Sequence, residues 1–268
     1  MKRNGILGLL TDFGHESYQI GIMKAVIKNI SSDIDIIDIT HDIRPFDIEE
    51  GAFVLYKAAL NFPGGSTFVT VIDWGVGTSR KAIVMRTKND MMFVAPDNGV
   101  LTVVGKHFRV VEVREITNNE FLYSPVPSHT FHGRDIFAPV GAHLVLSTPI
   151  KAVGPLMDTY EVIRYEEGHF DSNIIKGKII YVDHFGNIQT NISSNVVKDA
   201  GLVHNEVVKV KIGSKKFKMA FVETYGNVEE GKALLDIDSS GYLEISVNKG
   251  NAANVLKIQD KEEITISK

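Results

Sequence analysis

The sequence predicts an α/β fold: an N-terminal α/β layered domain with a largely parallel sheet, followed by a smaller C-terminal β-barrel domain. Three observations predict it. The first half alternates short apolar, β-branched runs with stretches of helical periodicity. The second half carries short alternating runs punctuated by glycine, with little helical periodicity. Between them lies a charged stretch, Glu161 to Gly168, which reads as a linker. The expected domains are 1–160 and 172–268.

Ile6 to Leu10 is a short apolar run, interrupted by Thr11-Asp12-Phe13-Gly14. From Ser17 to Ile30, residues Ile20, Met23, Ile27 and Ile30 recur near helical spacing and predict an amphipathic helix. Ile34 to Ile39 returns to strand character. Ile48 to Leu60 is helical again, with Ile48, Ala52, Leu55 and Ala59 on one face, and Pro63-Gly64-Gly65 closes the unit. Thr67 to Ile72 is β-branched and aromatic, and further strands are expected at Ala82–Arg86, Met91–Val94 and Arg109–Val113. A helix over Asp135 to Leu146 is expected to be perturbed at Pro139. In the second half, strands are expected at Ile174–Val182, Val207–Ile212, Phe217–Phe221, Ala233–Ile237, Tyr242–Val247 and Val255–Ile258.

With 268 residues, 44% of them hydrophobic, the chain can bury its cores without covalent staples. The net charge of -4 argues against a general nucleic-acid or anionic-membrane binder. The absence of cysteine excludes disulfides, thiolate nucleophiles and thiolate-ligated zinc or iron–sulfur centres. The apolar stretch before Thr11 is too short for a signal peptide or a membrane span, so a cytoplasmic protein is expected.

The informative polar residues sit at expected strand ends, where open α/β sheets gather their ligands. Asp12 follows the first strand, Thr40-His41-Asp42 the second and Asp73 the third. A carboxylate there can accept hydrogen bonds from vicinal hydroxyls such as those of a ribose, or merely cap a helix or turn. The stretch Asp73-Trp74-Gly75-Val76-Gly77-Thr78-Ser79-Arg80 lacks the third glycine of a dinucleotide fingerprint and the Lys-Ser/Thr of a phosphate loop. It can instead close Asp73 onto Arg80, as a functional or a structural ion pair. Phe131-His132-Gly133-Arg134-Asp135 places a histidine before a helix. Neither this histidine nor His41, His129 or His143 falls into a His-Glu-x-x-His pattern, so no metal is expected. Asp183-His184-Phe185-Gly186-Asn187 and Ser239-Ser240-Gly241-Tyr242-Leu243-Glu244 read either as β-turns or as binding loops, with Phe185 a stacking face and Asn187 an amide for a base edge.

Taken with Ala95-Pro96-Asp97-Asn98-Gly99, these segments resemble the S-adenosylmethionine hydroxide adenosyltransferase family, the S-adenosylmethionine hydrolases, which are relatives of the fluorinating and chlorinating adenosyl enzymes. The order and spacing of the motifs carry the resemblance along nearly the whole chain. It implies an N-terminal α/β domain and a C-terminal barrel, and homotrimers whose sites lie between the N-terminal domain of one subunit and the C-terminal domain of the next. It implies that Asp73, Arg80 and His132 activate water and that Asp12 holds the ribose hydroxyls. Phe46 falls where an aromatic group lines the nucleoside pocket. Asp183, Phe185 and Asn187 match the barrel segment facing the substrate, with Asn187 on adenine, while Ser239, Ser240, Glu244 and Val247 match the last binding strand and its turn. One departure is Trp74, where the family has proline; a bulky ring there is expected to shift the loop or narrow the pocket.

The resemblance implies hydrolysis of S-adenosyl-L-methionine to adenosine and L-methionine without a cofactor. The sulfonium leaves as a neutral thioether, so the site must supply an oriented water in line with C5′ and a route for its proton. Pairing with Arg80 makes Asp73 a poorer base, so Asp73 and neutral His132 are alternative proton acceptors. A halide-using adenosyl halogenase, and an adenosine or S-adenosylmethionine sensor without turnover, are the alternative functions.

Overall fold

Leu7, Leu9 and Leu10 are fully buried, so the first strand is a central one and the N-terminal unit is built around it. The computed structural model describes residues 4–259 and 261–268. It divides into two compact units, one ending at Tyr165 and the other beginning at Glu166. In the first unit, β1 (Ile6–Thr11), β2 (Asp35–Thr40), β3 (Thr67–Val71), β4 (Ala82–Thr87), β5 (Met92–Pro96) and β6 (Val110–Glu115) form one sheet in the order β2-β1-β3-β5-β4-β6. The pairings β2–β1, β1–β3 and β3–β5 are parallel. β4 runs antiparallel to both β5 and β6, which makes the sheet largely parallel but mixed. β3 and β5 are buried along their whole length, as expected of strands covered on both faces.

Helices cover the sheet. α1 (Tyr18–Ile30) starts at Ser17, whose hydroxyl accepts from the Gln19 N–H, and buries Ile20, Met23, Val26 and Ile27. α2 (Ile48–Ala59) is capped by Asp47 and buries Ala52, Phe53, Leu55 and Ala59. α3 (Thr102–Phe108) was not expected: Val103, Val104 and Gly105 are poor helix formers, and their burial in the core overrides that propensity. The helix expected over Asp135 to Leu146 is a π turn, Gly133–Phe137, leading into α4 (Ala138–Val145). Pro139 sits in the first turn of α4, where its missing N–H costs nothing.

The second unit is a closed seven-stranded barrel. β8 (Ile174–Val182), β9 (Ile188–Ser193), β10 (Glu206–Ile212), β11 (Lys215–Phe221), β12 (Ala233–Ile237), β13 (Tyr242–Val247) and β14 (Glu263–Ser267) run in the order β14-β10-β11-β12-β13-β9-β8, and β8 closes onto β14. The short strand β7 (His169–Asp171) pairs outside the ring with β8. Ile175, Ile179, Val210, Leu235, Ile245 and Ile266 fill the interior. The strand expected at Val255–Ile258 is a correction: the helix Ala252–Leu256, capped by Asn251, occupies that stretch, and Lys257 ends it in the left-handed conformation. No described helix is long and apolar enough to cross a membrane.

Candidate active site

Because β2, β1 and β3 are parallel neighbours, the residues that follow them share one edge of the sheet. There Asp12, Phe13, Gln19, Phe46, Asp73 and His132, with neighbouring residues, line a cavity of about 260 Å³. Asp42 does not join them. It accepts from the His15 N–H at 3.0 Å and pairs with the His15 ring at 2.9 Å, so its part is in the turn.

Asp73 and Arg80 close their loop as a bidentate pair. Arg80 Nε donates to Asp73 Oδ1 at 3.0 Å and Nη2 donates to Oδ2. The two side chains are 5% and 8% exposed, which puts the pair where charge is costly to leave unmatched. Nη2 also meets His132 Nδ1 at 3.1 Å, and Nη1 donates to the Lys81 carbonyl at 2.9 Å. A guanidinium only donates, so Nδ1 is the acceptor and the neutral ring carries its hydrogen on Nε2. Burial, and then the Arg80 charge, hold the His132 imidazole below its ordinary value, which keeps it neutral at physiological pH. Arg80 itself does not line the cavity; it connects two groups that do.

Two further contacts hold the loops together. Asn98 Nδ2 donates to the Ile72 carbonyl at 2.7 Å, directly before Asp73. Gly77 has φ 75°, and a Cβ there would lie 2.3 Å from the His129 carbonyl oxygen, so the loop bearing Arg80 and the one bearing His132 meet backbone to backbone. Asp135, 1% exposed, accepts from both the N–H and the hydroxyl of Ser128 and from Arg134 Nε, which anchors the segment leading to His132. Burial opposes the Asp135 charge, but these donors hold its carboxyl below the usual range.

Asp12 also lines the cavity. Its Oδ2 accepts the Phe46 N–H at 2.8 Å. Phe46 holds a left-handed φ of 66°, a strained conformation for a bulky residue, and 62% of it is exposed at the cavity rim. Burial raises the Asp12 carboxyl above its ordinary value, with the Asp73 charge adding to the effect. Trp74 does not narrow the cavity: it is 69% exposed and not part of the lining. Sequence reasoning missed Gln19, Val76, Thr130 and Phe131 in the lining and the anchors Asn98 and Asp135. For the anchors, the motifs containing them were the available signal.

In the barrel unit, Asp183 Oδ1 accepts the N–H groups of Phe185 and Asn187, both at 2.9 Å, and the Asn187 amide nitrogen lies 3.3 Å from Oδ2. This turn presents Phe185, 75% exposed, to the outside. Asp238 builds a second such turn by accepting from Ser240 and Tyr242, with Ser239 exposed and Ser240 half-buried. Glu244 and Val247 are buried, 3% and 4% exposed. Glu244 accepts from Tyr225 Oη at 3.0 Å, Ser246 Oγ at 2.9 Å and Gln189 Nε2 at 3.1 Å, while Val247 packs in the barrel core. Among the described residues, no three His, Asp or Glu side chains converge as a metal site.

The mixed sheet with its strand-end carboxylates, joined to a closed barrel, defines a known class. The family model of the SAM hydroxide adenosyltransferase N-terminal domain matches residues 7–154, and that of the C-terminal domain matches residues 177–265. The chain belongs to the SAM hydroxide adenosyltransferase family. It is 36% identical to the (R)-S-adenosyl-L-methionine hydrolase of Methanocaldococcus jannaschii, over 97% of this chain and 95% of that one. It is 25% identical to a fluorinase of an Actinoplanes species, over 99% and 98% of the two chains. The crystal structure of an uncharacterized conserved protein from Thermotoga maritima superposes with a TM-score of 0.96 at 47% identity, over 98% of this chain and all of that one.

Proposed function

We propose that this chain hydrolyses S-adenosyl-L-methionine to adenosine and L-methionine, with the substrate's own sulfonium as leaving group and no cofactor. The observation that carries the reading is the Asp73 carboxylate, ionically matched by Arg80 yet lining a cavity with Asp12. Asp12 receives the ribose hydroxyls and Phe46 flanks the nucleoside. A water beside Asp73 attacks C5′ from the side opposite sulfur. The new O–C5′ bond forms as the C5′–S pair passes to sulfur, which becomes the neutral thioether of methionine. The water proton passes to Asp73 and then to solvent. His132 is a poor acceptor in this scheme, because Nδ1 is engaged by Arg80 and Nε2 already bears hydrogen. Its part is to hold the guanidinium, and with it Asp73, in register.

The cavity is smaller than the ~300–1,000 Å³ of ordinary ligand pockets. That supports a second wall supplied from outside the unit, and in the proposed homotrimer the barrel of another subunit supplies it. Phe185 stacks on adenine, the Asn187 amide pairs with its edge, and Asp183, Ser239 and Ser240 face the substrate. Glu244 and Val247 shape that wall from beneath. The test is incubation with S-adenosylmethionine in ¹⁸O-labelled water, with and without chloride or fluoride. Release of methionine with adenosine labelled at its 5′ oxygen is expected in every case. A 5′-halogenated product would overturn hydrolysis in favour of the halide reading, and binding of adenosine with no methionine released would leave a sensor.

A further inference from the structure

Thr11, Asp12, Phe13 and Gly14 form the turn that presents Asp12, and that turn rests on one buried histidine. His41 is 2% exposed and Thr11 fully buried. The register of β1 against β2 slips between Leu9 and Leu10, so that Leu9 faces Asp38 but Leu10 faces Thr40. The extra residue brings His41 level with Thr11 and turns Asp38 and His41 to the same side. Thr11 Oγ1 then lies 2.9 Å from His41 Nδ1, and His41 Nε2 lies 3.2 Å from Asp38 Oδ1. The second contact is close but off the line of a good hydrogen bond, and Nε2 has no other partner among the described residues. On the far side of Thr11, its Oγ1 accepts the Phe13 N–H at 3.3 Å, and the His41 carbonyl accepts the Gly14 N–H at 2.7 Å.

The hydrogens can be assigned. Asp38 is paired with Lys24, and although burial works against its charge, Lys24 and His41 hold its carboxyl below the usual range. An ionised carboxylate only accepts, so the nitrogen facing it, Nε2, carries hydrogen. In the neutral ring Nδ1 is therefore a bare lone pair, and it takes the Thr11 hydroxyl hydrogen. That frees the Thr11 oxygen lone pairs for the Phe13 N–H. The charged and titratable groups around the ring are Asp38 on β2, Lys24 on α1, and His15, which is itself paired with Asp42.

We infer that Asp38, His41 and Thr11 form a positioning relay, which sets the turn bearing Asp12 and makes nucleoside binding depend on a neutral His41. No member touches the reacting atoms, so these are positioning residues, and the inference rests on Asp12 being the ribose ligand. If His41 gains a proton, Nδ1 becomes a donor. The Thr11 hydroxyl then loses its acceptor inside a site without water access, and the turn that it props is released. Burial already holds the ring below its ordinary value, which keeps the relay wired at neutral pH.

Two measurements on the intact chain test it. The first is ¹⁵N NMR of the wild-type imidazoles, which needs no ligand. His41 is expected as the Nε2–H tautomer, titrating below ~6.5; an Nδ1–H tautomer overturns the relay whatever the protein binds. The second is adenosine affinity by calorimetry from pH 5 to 8, alongside turnover. Thr11→Val is expected to weaken adenosine about tenfold with kcat within about threefold, and Thr11→Ser to restore affinity. His41→Asn, whose Oδ1 replaces Nδ1 as acceptor, is expected to bind normally at neutral pH and to lose the acid-side weakening. Wild-type affinity and pH profile in Thr11→Val would overturn the relay. If the wild type bound no adenosine, the nucleoside reading would fall and with it the relay's stated purpose, while the tautomer would still decide its wiring.

Discussion

Asp73 and Asp236 lie in different units and are both withdrawn from water, yet the molecule treats them in opposite ways. Asp73 has a guanidinium across both oxygens. Asp236, 5% exposed, has no hydrogen-bond partner for Oδ1 among the described residues, and stands directly across from Glu244 on the neighbouring strand. Burial, then the Glu244 and Asp238 charges, push its carboxyl up to about 7. The barrel thus accommodates a buried acid by shifting it toward its neutral form. The mixed-sheet unit instead pairs its carboxylate with an arginine, which a histidine contacts in turn, beside a cavity. A carboxylate matched that way is a weak base held in a fixed orientation, whereas the Asp236 carboxyl has its proton affinity raised by burial and by its acidic neighbours.

The sharpest way to break this contrast is to remove the charge at Asp73. Asp73→Asn is expected to slow adenosine formation by roughly 10²–10⁴-fold with a smaller change in adenosine affinity, measured by single-turnover kinetics. Arg80→Ala should slow it comparably and also destabilise the fold by about 3–5 kcal/mol, because it strands a buried charge; denaturant titration reads that difference. His132→Ala should cost less, about tenfold in kcat. The wild-type rate should fall on the acid side below ~6.5, where a protonated ring can no longer accept from Arg80. His132→Asn, which keeps an acceptor, should lose that limb.

For the barrel the sign is reversed. The folded state holds a proton on Asp236 that the unfolded chain gives up, so stability should decline as pH rises from about 4 to about 7. Asp236→Asn should flatten that slope in thermal melts without altering kcat. Smallest of all should be Trp74→Ala, since the ring is exposed and takes no part in the cavity lining: stability within about 0.5 kcal/mol, as for an ordinary surface change.

The legibility of the chain follows the same divide. Ile20, Met23 and Ile27 announce α1 because one helical face is buried, and all three are in the core. That Asp12 and Asp73 line one cavity is legible because parallel strands bring their ends to one edge. β9 escaped because Gln189, Thr190 and Asn191 break the apolar alternation; their polar groups are satisfied within the barrel, as Thr190 is by the Leu243 carbonyl. Val255 to Ile258 misled in the opposite sense, a short apolar run whose Asn251 cap was the better signal. The link between Thr11 and His41 was out of reach, since it depends on a register slip that no local pattern encodes.

The backbone contact at Gly77 has a practical consequence for redesign. Because residues 73–80 and 128–132 touch where no side chain fits, transplanting either loop alone from a relative would introduce a mismatch at the junction. Exchanged as a pair, they would travel as a cartridge, carrying Asp73, Arg80 and His132 with their mutual contacts intact.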